Sequence, residues 1–139
     1  MGFEAPAIGS RATLTRTFDQ DDVETFARLT GDRNPLHFDA EFAAGTRVER
    51  LVVQGGLTTG LFNALVAMEL PGPGSVFLHQ EWDYPAPVFI GDTVTAEAIV
   101  TEARTDKPIT TLACTARRDD GSEVLRGTCI VYTMVPEVH

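Results

Sequence analysis

Residues 54–74 read QGGLTTGLFNALVAMELPGPG. Leu57, Leu61, Phe62, Leu65, Val66 and Met68 make this stretch apolar nearly all round a helix, and a helix of that kind is buried. Gln54-Gly55-Gly56 opens it. Pro71-Gly72-Pro73-Gly74 ends it after about Leu70, because neither residue type continues a helix. A buried helix needs other elements to cover it, and the chain beyond Gly74 supplies strands. Ser75 to Asp83 leads into a proline-broken turn from Tyr84 to Pro87. From Thr93 the pattern alternates, with Val94, Ala96, Ala98 and Val100 on one face. Asp106-Lys107-Pro108 is a turn, Leu112, Cys114 and Ala116 align on the next strand, and Asp119-Asp120-Gly121 is a hairpin signal before a last strand from Glu123 to Met134.

Upstream, Arg11 to Phe18 alternates as a half-buried strand, with Ala12, Leu14 and Phe18 on one face. Asp19 is placed to cap a helix whose first turn is acidic, which suits the positive end of the helix dipole. Val23, Phe26, Ala27 and Thr30 follow at helical spacing, and Gly31 stops the helix. Gly31 to Asp39 reads as a rigid loop, in which Pro35 pushes Asn34 out of the α region. Asp39 can cap a short helix through Phe42 and Ala43. Strand, helices, one long buried helix, then four strands is an α+β order. The economical architecture is a single domain over residues 1–139, one sheet wrapped around one apolar helix.

With 139 residues, a net charge of −9 and 43% hydrophobic residues, the chain has an ordinary globular composition. It lacks the basic footprint of a nucleic-acid binder, and anionic lipid surfaces repel it. The N-terminal stretch has neither the basic start nor the apolar core of a signal peptide, and no apolar run reaches the ~20 residues that span a membrane. A cytoplasmic protein is expected. The two cysteines, Cys114 and Cys129, sit in apolar strand-like stretches and read as buried free thiols. They form no metal set.

Three histidines are present. His139 is terminal, and His79 sits in a strand pattern as a surface or packing residue. His37 follows Asp32 on the loop stiffened by Pro35 and stands close to Asn34. A carboxylate and an imidazole on one rigid loop can grip one water and take its proton. On spacing alone, Asp-x-Asn-Pro is also ordinary turn chemistry.

The stretch Phe26-Ala-Arg-Leu-Thr-Gly-Asp32-Arg-Asn34-Pro35-Leu36-His37-Phe-Asp39 resembles the hydratase 2 motif of the MaoC-like (R)-specific enoyl-CoA hydratases. The resemblance extends to Val53-Gln54-Gly55, Leu70-Pro71-Gly72, Pro87 to Asp92 and Asp106-Lys107-Pro108, so it covers nearly the whole chain. It is strongest to the short single-domain hydratases that feed polyhydroxyalkanoate synthesis. It implies a hot-dog fold, a homodimer joined edge to edge, Asp32 and His37 as the catalytic pair with Asn34 and Pro35 supporting them, and the Gly55 backbone N–H as oxyanion donor. It implies an acyl-CoA substrate and no cofactor, coenzyme A being part of the substrate. A free N–H at a helix start, where the dipole favours negative charge, agrees with the oxyanion role. Gln54 departs from the family, which often has histidine there. An amide cannot titrate, which leaves Gln54 a role in shaping the pocket by hydrogen bonding.

The expected reaction is reversible hydration of trans-2-enoyl-CoA to the (R)-3-hydroxyacyl-CoA. The alternatives are a hot-dog thioesterase, disfavoured because residues 55–67 hold no acidic side chain, and a non-catalytic acyl-CoA-binding module. Arg33, Arg47, Arg50 and Lys107 are the cations available for the coenzyme's phosphates. Thr59, Asn63 and Val66 share a helix face at i, i+4 and i+7. The rest of the helix is almost wholly apolar, so Asn63 is expected to be buried and to need a hydrogen bond, either to a neighbouring strand or on the wall of an acyl tunnel beginning near Gly55. In the second reading Asn63 and Val66 line the tunnel and favour short chains.

Overall fold

The computed structural model describes residues 2–137, so His139 lies outside the described part. The elements are β1 (Arg11–Thr17), α1 (Gln20–Thr30), α2 (Pro35–Phe38), α3 (Ala40–Ala44), α4 (Gly55–Met68), β2 (Ser75–Asp83), β3 (Thr93–Ala103), β4 (Ile109–Arg118) and β5 (Glu123–Thr133). The strands form one antiparallel sheet in the order β1-β3-β4-β5-β2. β1 and β2 are its edges.

The alternating residues do what their spacing requires. Val94, Ala96, Ala98 and Val100 of β3 are buried beside Leu112, Cys114 and Ala116 of β4, and Cys129 and Val131 continue the face on β5. Phe62, Leu65 and Val66 of α4 pack into the same cluster. Small alanines on the sheet leave room for the large helix side chains at close-packed density. Cys114 and Cys129 are free, with sulfurs 3.7 Å apart. The neighbouring Cys129 sulfur and burial together push the Cys114 thiol up, which keeps it protonated and inert.

α4 is covered on one side only, which corrects the expectation of an all-round buried helix. Thr58, Leu61, Phe62, Leu65 and Val66 are buried, whereas Gly60, Asn63, Ala64 and Met68 are exposed. A single sheet covers a single stripe. Composition cannot choose the stripe when both sides of a helix are apolar. Val66 and Asn63, three residues apart, lie about 60° apart around the axis, and the edge of the buried stripe falls between them. Asn63 is thus not a buried amide, and Thr59, half-buried, stands at the boundary.

α1 delivers the chain to the candidate site. Asp19 accepts from the Asp22 N–H while the Asp22 side chain accepts from the Asp19 N–H, a reciprocal cap. At the other end Gly31 takes a left-handed conformation with φ of 84°, which only glycine adopts freely, and turns the chain toward Asp32. The segment expected as loop contains one helical turn, α2. Asn34 caps it by accepting from the Leu36 N–H, and Pro35 occupies the first helical position, where its missing N–H costs nothing. Asp39 caps α3 through the Phe42 N–H.

Candidate active site

Asp32 and His37 stand on either side of the Asn34 cap. One Asp32 carboxylate oxygen, Oδ1, accepts from the Asn34 N–H at 3.2 Å. The other, Oδ2, lies 3.7 Å from His37 Nε2. The imidazole is buried, and its Nδ1 is 2.7 Å from the Val52 carbonyl oxygen. A carbonyl only accepts, so Nδ1 carries the proton and donates. In the neutral ring Nε2 then presents a lone pair toward Asp32. The Val52 N–H donates in turn to the Leu36 carbonyl at 3.0 Å, so α2 and the segment before α4 are laced together twice.

Two acceptors, Nε2 and Oδ2, therefore face each other beyond direct hydrogen-bond distance. A molecule with two O–H donors satisfies both, and water is the smallest. The Asp32 side chain is 42% exposed, so one side of the pair is open for such a molecule to enter.

Val52 connects the pair to a cleft. This cleft, about 310 Å³, is lined by Val52, Gly55, Thr58, Tyr84, Pro87 and Val88 among others. Its walls are mostly apolar. Gly55 opens α4, and its N–H has no acceptor among the described residues. Asp32 and His37 do not line the cleft and reach it through Val52. Asn63 and Val66 are not among its walls.

Gln54, flanking Gly55, is 1% exposed. Its Nε2 donates to the Val23 carbonyl of α1 at 3.0 Å, and its Oε1 has no partner. The amide ties the start of α4 to the helix that precedes Asp32. Of the available cations, Arg33 is taken up by Glu24 at 2.9 Å. Lys107 sits in the β3–β4 turn beside Phe3 and Asp106. Among the described residues no group of three or more His, Cys, Asp or Glu is placed to hold a metal ion.

A one-turn helix begun by Asn-Pro, with a carboxylate before it and an imidazole on it, matches the motif noted in the sequence. The family model described as "MaoC like domain" matches residues 4–119. The chain belongs to the MaoC-like family. It is 42% identical over 131 residues to the (R)-specific enoyl-CoA hydratase of Aeromonas caviae, covering 94% of this chain and 98% of that one. It is 38% identical to the 3-hydroxybutyryl-CoA dehydratase of Methylorubrum extorquens, covering 93% and 82%. A solved (R)-hydratase from A. caviae involved in PHA biosynthesis superposes with a TM-score of 0.90 at 41% identity, over 94% of this MaoC-like chain and 99% of that one. The expected hot-dog fold, an antiparallel sheet with α4 packed on one face, is the fold these MaoC-like chains share.

Sequence reasoning missed the Val52 carbonyl and Tyr84. Tyr84 faces Gly55 closely enough that a Cβ on Gly55 would stand 2.9 Å from its ring. Neither had a signal in the sequence, since every residue has a carbonyl and Tyr84 reads as part of a turn.

Proposed function

We propose that the protein is a hydro-lyase that reversibly hydrates trans-2-enoyl-CoA to (R)-3-hydroxyacyl-CoA. The observation that carries the reading is the His37 tautomer. The Val52 carbonyl holds the Nδ1 proton, which leaves Nε2 and Asp32 Oδ2 as paired acceptors for one water. The relatives named (R)-specific enoyl-CoA hydratase and 3-hydroxybutyryl-CoA dehydratase supply the substrate class.

The water donates one O–H to each acceptor. Its oxygen attacks the β-carbon, and a proton passes to the Asp32/His37 pair as the C–O bond forms. The C=C electron pair moves to the α-carbon and the thioester oxygen, giving an enolate-like oxygen that the Gly55 N–H receives. The pair then delivers a proton to the α-carbon on the same face, and the enolate collapses to the thioester. Every proton removed is returned, so the reaction consumes no cofactor. Asp32 and His37 both contact the same water, and the step is assigned to the pair and not to either residue alone. A preorganised donor at the developing oxyanion is worth ~3–4 kcal/mol.

In this reading the enzyme is a cytoplasmic homodimer. The exposed face of α4, with Gly60, Asn63, Ala64 and Met68, and the open edge of β2 are the surfaces a second copy covers. Asn63 meets the acyl tail only once that copy closes over it, and with Val66 behind it limits chain length.

One assay tests the activity. On crotonyl-CoA, enoyl absorbance falls while free thiol stays constant. Thiol release indicates hydrolysis, and no change in either indicates binding only. Coupling the product to an (S)-specific 3-hydroxyacyl-CoA dehydrogenase gives no NADH if the product is the (R) alcohol.

A further inference from the structure

A chain with net charge −9 must hold a polyanionic substrate through local cations. Most of its guanidinium groups are already committed. Arg33 pairs with Glu24, Arg104 with Asp106, Arg117 with Glu123 and Arg118 with Asp120. Arg50 has no ion pair or hydrogen bond among the described residues, yet it is held in place. Its guanidinium carbon lies 3.8 Å over the Phe89 ring. Stacking fixes the plane of the group and leaves its N–H donors free at the edge. Glu49 precedes it with a left-handed backbone, φ of 68°, and forms no ion pair with it.

The location matters as much as the freedom. Phe89 is bridged to Val52, and Val52, Pro87 and Val88 line the same cleft as Gly55. A second guanidinium, Arg118, stands 5.4 Å from the same ring and donates to the Pro87 carbonyl. The segment from Arg50 to Gly55 spans at most ~16–18 Å of extended chain. That is an upper limit on their separation, and an extended pantetheine arm between a thioester and its phosphates reaches across it.

We propose that Arg50 docks the phosphates of the coenzyme A portion of the substrate, with the thioester at Gly55. The inference rests on the acyl-CoA reading of the site. A planar guanidinium with free donors suits bidentate contact with phosphate oxygens, and each such charged contact carries roughly ten-fold or more in affinity.

The test compares substrates with and without phosphates. Arg50→Glu and Arg50→Gln raise KM for crotonyl-CoA roughly ten-fold or more with little change in kcat. Their kcat/KM on crotonyl-N-acetylcysteamine, which has no phosphate, stays at the unmodified level. Arg11→Gln removes an exposed charge on the edge strand β1, away from the cleft, and leaves both substrates unaffected. Calorimetric titration with free coenzyme A shows weaker binding to the Arg50 variants only. Equal losses on both thioesters, or an unchanged KM for crotonyl-CoA, overturn the proposal. If the unmodified protein hydrates neither thioester, the hydratase reading fails, and the coenzyme A titration still decides the role of Arg50: equal affinity in all variants overturns it.

Discussion

Replacing Gly55 with alanine separates catalysis from stability at one carbon atom. A Cβ at this position would lie 2.9 Å from Tyr84 Cε2 and 3.5 Å from its Cδ2 and Cζ. Carbon contacts relax at ~3.5–4.0 Å, so the ring has to retreat by roughly 0.6–1 Å. Tyr84 is 56% exposed and can swing toward solvent. Displacing a side chain from its rotamer costs of order 0.5–1.5 kcal/mol. Against this, exchanging glycine for alanine in a helix gains up to ~0.5–1 kcal/mol. The two nearly cancel, so Tm should move by no more than a few degrees. Activity should not survive. The methyl group enters the cleft between Gly55 and Tyr84, where the proposed mechanism brings the thioester oxygen to the Gly55 N–H. A misplacement of ~1 Å costs about 100-fold, and loss of an oxyanion donor ~100- to 1,000-fold. The assay is kcat on crotonyl-CoA beside a thermal melt of the same sample. A folded Gly55→Ala protein that keeps kcat within about three-fold of the unmodified enzyme would refute the oxyanion assignment.

Asp32→Asn and His37→Ala should each lower kcat by ~100-fold or more, and the double variant far less than the product of the two, because the pair acts as a unit; near-normal turnover in either folded single variant rules the pair out. Crotonyl-CoA and hexenoyl-CoA should be preferred to dodecenoyl-CoA, and Asn63→Ala should shift kcat/KM toward longer chains; an unchanged chain-length profile returns Asn63 to the solvent-facing surface. Light scattering at micromolar concentration should give twice the 15.1 kDa chain mass, and a monomer mass counts against the covered α4 face. The Asp120 carboxyl, held by the Ser122 N–H and hydroxyl and by Arg118, sits at about 2, below the ordinary carboxylate value of 3.8. A depressed folded value means that its contribution to stability is full above pH ~4 and is lost as pH falls toward 2. Acid titration of that carboxyl by NMR checks the value, and a midpoint near 3.8 would show the contacts to be absent in solution.

Much of this molecule was legible before any coordinates. The period-two runs at Val94–Val100 and Leu112–Ala116 became β3 and β4 because alternation admits one solution when a sheet has one covered face. Asp19, Gly31 and Asp39 ended or began helices where their chemistry said they would, since caps depend on neighbours within a few residues. Asp32, Asn34, Pro35 and His37 were visible as a group for the same reason: one short loop holds them all. Other features depended on contacts between residues distant in the chain. The apolar composition of α4 promised burial but gave no direction, so only the sheet chose which stripe to cover, leaving Asn63 outside and Val66 inside. The tautomer of His37 is set by the backbone carbonyl of Val52, a group present in every residue and therefore silent in a sequence. Tyr84 beside Gly55, and Phe89 beneath Arg50, come from turns that tertiary packing folds back onto the start of α4. Local chemistry placed the candidate site groups on the chain, and packing across the sheet decided what each of them faces.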